Sequence, residues 1–304
     1  MKIGVAGAGA VGSFFGALLH KGGHDVIFLA RGKQLEKLSE QGLSIQGESG
    51  NLHIGGEFTE DPYGLAQSDL ILFCVKSNDT EQMAKQLLPI LKEGSAVLTV
   101  QNGVDNEEKL QRIFGANRLL SAATYVQVFM EAPGQVRQRG RVKLVIGEVE
   151  SRASGKAKMM TEEIRSAGID AKYSSNILER KWKKLLWNIT FNPLSAMVEV
   201  KVGEILDSSP LRKTAENICR EALATAAATG MIVDQEKAFS TIFSNAELAR
   251  SHQTSMLQDR QQGKEMEVES MCGYVVRKAQ KLGVATPTLE TIYHLLTFMN
   301  EKNQ

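Results

Sequence analysis

Cysteine is scarce in these 304 residues, and the three present, Cys74, Cys219 and Cys272, are far apart and never in a C-x-x-C pair. An odd, dispersed set builds no disulfide framework and reads as reduced thiols in a cytoplasmic protein. No stretch reaches the roughly 18 consecutive apolar residues of a membrane span. The N-terminal "MKIGVAGAGAVG" turns glycine-rich before any long apolar run, so neither a span nor a signal peptide is expected. An excess of one charge is also missing: 36 lysines and arginines stand against 35 acids, a formal net charge of +1. That balance gives no electrostatic reason to expect nucleic acid or an anionic membrane as the main partner. Internal repeats, low-complexity segments, a G-x-S-x-G signature and a paired Cys and His signature are absent as well. His20 and His24 lie four apart, but Gly22 and Gly23 break the helix between them and no third ligand accompanies them, so no metal is expected.

What is present divides into two parts. The length exceeds what one hydrophobic core usually serves, so two domains of roughly 100 to 200 residues are expected. "KIGVAG", "DVIFLA", "DLILFCVK" and "AVLTVQ" are nearly continuous apolar runs, as in strands covered on both faces of a parallel sheet. Between them "VGSFFGALLHKGG", "KQLEKLSEQG" and "TEQMAKQLLPILKEG" have helical spacing and end at or near glycine. This alternation implies an α/β, doubly wound Rossmann-type domain. Over 118–148, strands joined at Pro133, Gly134 and Gly140 suggest an antiparallel extension of that sheet. One more helix, over about 153–167, precedes a boundary near Ser174 and Ser175, which gives domains 1–174 and 175–304, the second all-helical.

"GAGAVG" sets Gly7, Gly9 and Gly12 in the G-x-G-x-x-G spacing, after a strand and opening a helix. The first glycine permits the tight turn, the second lets a pyrophosphate approach the backbone, and the third lets helix and strand pack closely. Cofactor contacts are therefore expected from Gly7, Ala8, Gly9, Ala10, Val11 and Gly12, with helix N-terminal amides facing the phosphates. At the end of the second strand "FLARGKQ" offers Arg31 and Lys33 and no acid, which favours the 2′-phosphate of NADP over the bare ribose of NAD. The alternative is a solvated surface arginine. Lys76, at the carboxyl end of "LILFCVK", either adds charge beside the same phosphate or is an exposed strand-end lysine.

The stretch "RKWKKLLWNITFNPLSAM" is apolar on nearly every side, yet Lys184, Asn188 and Asn192 recur every fourth residue and share one helix face. Buried without partners such groups cost several kcal/mol, so they pair with each other, with water, with a ligand or with the neighbouring domain. Pro193 should bend or end the helix, and Lys181 and Lys183, out of register, should stay solvated. In "EMEVESMCGYVVRKAQKLG", Val268, Met271, Val275, Ala279 and Leu282 form an apolar stripe bordered by Glu267, whereas Glu265 and Glu269 point towards solvent. The methionines, Met159, Met160, Met256 and Met271 among them, read as core filler.

With "GAGAVG", "QNGVDN", "KWKKLLWNITFNPLSA" and "SMLQDRQQGKEMEVESMCGYVVRKAQKLGVATP" placed, the chain resembles ketopantoate reductase (2-dehydropantoate 2-reductase) almost end to end. The resemblance implies NADPH-dependent reduction of ketopantoate to pantoate, on the route to pantothenate and coenzyme A. It also implies a Rossmann domain followed by a helical domain like that of 6-phosphogluconate dehydrogenase, with the active site in the cleft between them. Position by position it makes Lys184 the general acid. It makes Asn102 the asparagine between nicotinamide and substrate, and Asn188 and Asn192 the helix asparagines that face the substrate. Ser255 would bind the substrate carboxylate, and Glu267 would hold the substrate hydroxyl and support the lysine. His252 and Val202 depart from the pattern where asparagines are expected, and both could contact the substrate's polar groups. The alternatives are a reductase of another 2-oxo acid and a nucleotide-binding regulator without turnover. The second is opposed by Lys184 and Glu267, which mere binding would not need. A monomer or a homodimer is compatible with the residues.

Overall fold

The apolar runs of the first half form strands because each can bury both of its faces. A computed structural model describes residues 1–48, 50–150 and 155–302, and two units are distinguishable. One comprises Met1–Asn102 and Asn106–Lys181, the other Gly103–Asp105 and Trp182–Gln304.

In the first unit, β1 (Lys2–Ala6), α1 (Ala10–Lys21), β2 (Asp25–Leu29) and α2 (Gly32–Gln41) precede β3 (Leu43–Gly47), β4 (Gly50–Ile54) and β5 (Glu57–Thr59). Then come β6 (Leu70–Phe73), α3 (Thr80–Leu87), β7 (Ala96–Thr99), α4 (Asp105–Phe114), β8 (Leu119–Ala132), β9 (Gln135–Glu148), α5 (Lys156–Ser166) and β10 (Ala171–Tyr173). The hydrogen-bonded order is β4-β3-β9-β8-β7-β6-β1-β2-β5, with β10 paired to β9. Strands β5, β2, β1, β6, β7 and the start of β8 run parallel, and β8 and β9 form an antiparallel hairpin. Alternate residues go to opposite faces. Val26, Phe28, Leu70, Leu72 and Leu98 pack with Phe14, Phe15, Met160 and Ile164 of α1 and α5. Ile27, Leu29, Ile71, Phe73 and Val97 pack with Ala84, Leu87, Leu110 and Phe114 of α3 and α4. Helices thus cover both faces, the doubly wound arrangement expected of near-continuous apolar strands. Because β1 has β2 on one side and β6 on the other, the chain order reverses there, and the crevice at their carboxyl ends is the usual ligand position.

Several local expectations need correction. Gly140 does not separate two strands. It lies within β9 at φ +67°, where the register slips from Tyr125–Lys143 to Gln127–Arg139, a bulge that its positive φ permits. The hairpin β3–β4 and strand β5 are additions to the expected elements; "LSIQGESGNLHI" alternates polarity on either side of Gly47 and Gly50. Helix α4 is a further addition to the expected elements. Helix α3 stops at Leu87, just before Pro89, which has no amide hydrogen to donate. The expected helix start at 153 lies outside the described residues. Met159 is 55% exposed, so unlike Met160, Met256 and Met271 it fills no core.

Helix α6 (Ile177–Val198) begins in the first unit and continues into the second, where it is followed by α7 (Val202–Asp207), α8 (Ser209–Ala228), α9 (Gln235–Leu248), α10 (Ser255–Gln261), α11 (Tyr274–Lys281) and α12 (Pro287–Lys302). Among the described residues this unit contains no strand. Its core joins Leu185, Leu186, Ile189 and Phe191 of α6 to Val202 and Ile205 of α7, Ile218 and Leu223 of α8, and Leu289 and Leu296 of α12. Pro193 does not end α6, which runs another turn to Val198 around the buried ring. A π-helical turn, Glu269–Gly273, leads into α11. Leu282 lies past the end of α11 and is 41% exposed, so it does not belong to the buried stripe.

Candidate active site

The glycine-rich turn connects β1 to α1. Gly7 has φ +103°, a conformation side chains disfavour, and a Cβ there would lie 2.9 Å from the Val75 amide nitrogen. At Gly12 a Cβ would fall 2.1 Å from the Gly7 carbonyl oxygen, so only glycine lets α1 start this close to the turn. Gly9 differs: nothing lies within 4 Å of its absent Cβ. It is the N-cap of α1, no side chain caps that end, and the first helical bond runs from the Ser13 amide to the Gly9 carbonyl at 2.8 Å. The amides of Ala10, Val11 and Gly12 precede that bond, beside open space, as a phosphate site requires. The Ala8 carbonyl is held from behind, accepting from Ser13 Oγ at 3.1 Å and from Gln34 Nε2 at 2.9 Å. Gln34 Oε1 in turn accepts from the Gly134 amide at 2.9 Å, which ties the turn to the β8–β9 hairpin.

Arg31 follows β2 as the N-cap of α2, with its side chain 85% exposed. Its Nη2 lies 3.0 Å from Asp79 Oδ2. Asp79 ends the short 3₁₀ segment Ser77–Asp79, and the exposed Lys76 caps that segment after β6. The basic residues read from sequence thus lie at the carboxyl ends of β2 and β6, on either side of β1. The acid missing from β2 arrives from another strand's loop.

On α6, Lys184 is half-buried, whereas Asn188 and Asn192 are buried. Asn192 is 3% exposed, and its Oδ1 is buried without a hydrogen-bond partner. Such an acceptor costs about 1–3 kcal/mol unless a donor reaches it. The exposed Ser255 opens α10 behind its N-cap, Thr254, whose Oγ1 accepts from the Leu257 amide at 3.2 Å. The Thr254 hydroxyl also lies 3.3 Å from Ser195 Oγ, which brings the start of α10 against α6 one turn past Asn192. Glu267 is half-buried between two core residues, Met266 and Val268. The backbone there is strapped to α12, because Asn300 accepts from the Met266 amide at 3.1 Å and donates to the Met266 carbonyl at 2.9 Å. Glu265 and Glu269 are exposed, and Glu269 is bound by Arg277 and by the Tyr293 hydroxyl at 2.7 Å. At Gly273, in the π turn, a Cβ would fall 2.7 Å from the carboxylate at the end of the exposed Glu269 side chain, which can swing aside. Gly103, next to Asn102, has φ +81° and packs with its Cα towards the Ser270 carbonyl of that turn.

The chain matches the family model "Ketopantoate reductase PanE/ApbA" over residues 3–151 and "Ketopantoate reductase PanE/ApbA C terminal" over residues 176–300. The chain belongs to the ketopantoate reductase PanE/ApbA family. Among its relatives, 2-dehydropantoate 2-reductase of Archaeoglobus fulgidus is 34% identical, over 97% of this chain and 96% of its own length. The enzyme of the same name from Pyrococcus horikoshii is 32% identical, over 94% and 93%. Among solved structures, a PanE/ApbA family ketopantoate reductase from Ralstonia eutropha superimposes with a TM-score of 0.91, 31% identity and complete coverage of both chains. A ternary structure of D-mandelate dehydrogenase with NADH and anilino(oxo)acetate gives a TM-score of 0.93 at 25% identity, covering 100% of this chain and 99% of that one. Family membership makes the chain an oxidoreductase. Among the described residues no helix is long and apolar enough to cross a membrane.

Two expectations for this PanE/ApbA family member change, those for Lys181 and Val202. Lys181 is not solvated: it is 3% exposed and paired with Glu107, while Lys183 is exposed as expected. The partner carboxylate lies 74 residues away in sequence, so local helical register could not reveal it. Val202 is fully buried in the core and presents nothing to a ligand, and its amide bonds the His252 carbonyl at 3.2 Å. His252 is partly buried with its ring edge-on to Trp187 at 5.4 Å, and burial pushes its pKa below the ordinary imidazole value.

Proposed function

We propose that the chain is an NADPH-dependent ketopantoate reductase, converting ketopantoate to pantoate in the cytoplasm on the route to pantothenate and coenzyme A. The observation that carries the reading is the polar stripe of α6, where a half-buried Lys184 heads two buried asparagines and Asn192 Oδ1 awaits a donor such as a substrate hydroxyl.

The nicotinamide supplies the hydride that reduces the ketone carbon. Its nucleotide fits the open space at Gly9 and the amides of Ala10, Val11 and Gly12, with Arg31 and Lys76 for the 2′-phosphate. Lys184 gives a proton to the carbonyl oxygen and, as a cation, stabilises the developing alkoxide. Glu267 supports the lysine and holds the substrate hydroxyl. Ser255 would bind the carboxylate, Asn188 and Asn192 would fix the remaining polar edge, and Asn102 would contact both nicotinamide and substrate.

A second reading, another 2-oxo acid, is favoured by the His252 ring against Trp187 and by the buried Val202, since neither is the asparagine expected for ketopantoate. D-mandelate dehydrogenase in complex with NADH has the same fold. The test follows NADPH and NADH oxidation with ketopantoate and a panel of aliphatic and aromatic 2-oxo acids. Ketopantoate with NADPH is expected to give the highest kcat/KM. Rapid turnover of another acid without turnover of ketopantoate would overturn the substrate assignment.

A further inference from the structure

A buried polar cluster lies at the carboxyl ends of β6 and β7 and has no part in the chemistry above. Lys181 Nζ donates to the Gln101 carbonyl at 2.9 Å and pairs with Glu107 Oε1, which also accepts from Ser121 Oγ at 2.6 Å. Gln101 Nε2 donates to the Val75 carbonyl and to Thr80 Oγ1, both at 2.8 Å. The Thr80 hydroxyl donates to Asn106 Oδ1 at 2.9 Å. Asn106 Nδ2 donates to the Asn102 carbonyl at 2.9 Å and to Ser77 Oγ at 3.1 Å. Lys181, Glu107, Ser121, Gln101, Thr80 and Asn106 are all buried.

An ion pair taken out of water is a poor way to gain stability, because desolvation offsets the attraction and well-packed apolar side chains often do as well. What it supplies here is direction. Two consecutive carbonyls are gripped, that of Gln101 by the ammonium and that of Asn102 by Asn106, so the peptide planes on both sides of Asn102 are set. We propose that Lys181 and Glu107 are a positioning pair that fixes the Gln101–Asn102 peptide and so aims the Asn102 side chain at the nicotinamide. The proposal rests on the NADPH reading and adds to it two residues that touch neither cofactor nor substrate.

Glu107→Gln alone leaves a buried ammonium without its counter-charge, so a lower urea midpoint is expected of it whatever its role. The informative variant is Lys181→Met with Glu107→Gln, which removes both charges at nearly constant volume. Binding of NADPH is compared with binding of 2′,5′-ADP, which carries the phosphates but no nicotinamide. The double variant is expected to bind 2′,5′-ADP within about twofold of the parent, to lose about tenfold in NADPH affinity relative to 2′,5′-ADP, and to lose a similar factor in kcat. Lys181→Arg, which keeps a buried cation and donor, should hold the affinity ratio near that of the parent. A folded double variant, or a folded Lys181→Met, with the parent's NADPH to 2′,5′-ADP ratio would overturn the proposal. A parent that binds 5′-AMP as well as 2′,5′-ADP would instead sink the NADPH reading, and the same ratio would then be measured with NADH and 5′-AMP.

Discussion

Two glycines of the fingerprint, Gly9 and Gly12, should differ in how much stability an alanine costs. At Gly9 the new methyl meets nothing within 4 Å, and φ is −75°, open to any residue. Alanine is a poorer N-cap than glycine by about half a kcal/mol, and it stiffens the unfolded chain in compensation by a similar amount, so stability should stay within about 1 kcal/mol of the parent. At Gly12 the methyl would sit 2.1 Å from the Gly7 carbonyl and 3.0 Å from Cys74 Cβ and Val5 Cγ1. Relieving that overlap moves backbone, at a cost of about 3 kcal/mol or more. Nucleotide binding should be lost in both variants for different reasons: Gly12→Ala through distortion, Gly9→Ala because the methyl fills the space a phosphate needs. For Gly9→Ala the expected change is at least a tenfold rise in the NADPH Kd, about 1.4 kcal/mol, with a near-parental urea midpoint. Equilibrium binding and urea denaturation measured on the same preparations decide the matter. Unchanged affinity in Gly9→Ala would refute the placement of phosphate at that turn, and destabilisation equal to that of Gly12→Ala would refute the packing argument.

Arg31→Ala should weaken NADPH far more than NADH, and equal losses would remove the argument for a 2′-phosphate site. Because Asp79 engages the same guanidinium in an exposed pair, Asp79→Asn should tighten NADPH by up to about fivefold, the scale of a surface ion pair, without helping NADH; parallel titrations of both nucleotides check it. Lys184→Ala should cut kcat by orders of magnitude in a protein with a normal melting curve, and near-normal kcat would return Lys184 to a structural role. His252 is depressed by burial, so the unfolded chain takes up its proton first and the stability it contributes falls as pH drops through about 6.5. His252→Gln should flatten that part of the stability profile, and an NMR titration should find the His252 midpoint below the usual imidazole value.

Features carried by short-range pattern were legible in the sequence. Near-continuous apolar runs alternating with helical spacing determined a doubly wound sheet, since such strands must be covered on both faces. The G-x-G-x-x-G spacing determined a turn in which Gly7 and Gly12 tolerate no side chain, and four-residue spacing put Lys184, Asn188 and Asn192 on one face of α6. Tertiary structure decided what depends on residues far apart in the chain. Lys181 looked like a solvated lysine beside Lys183 until Glu107 from α4 and the Gln101 carbonyl enclosed it. Arg31 looked unopposed until Asp79 arrived from the loop after β6, and Val202 looked able to meet a ligand until the core of the second unit closed over it. The physical reason is common to these cases. Helical and strand periodicity tell which side of an element a residue occupies. Charge pairing and burial depend on which other element faces that side, and only the folded chain specifies it.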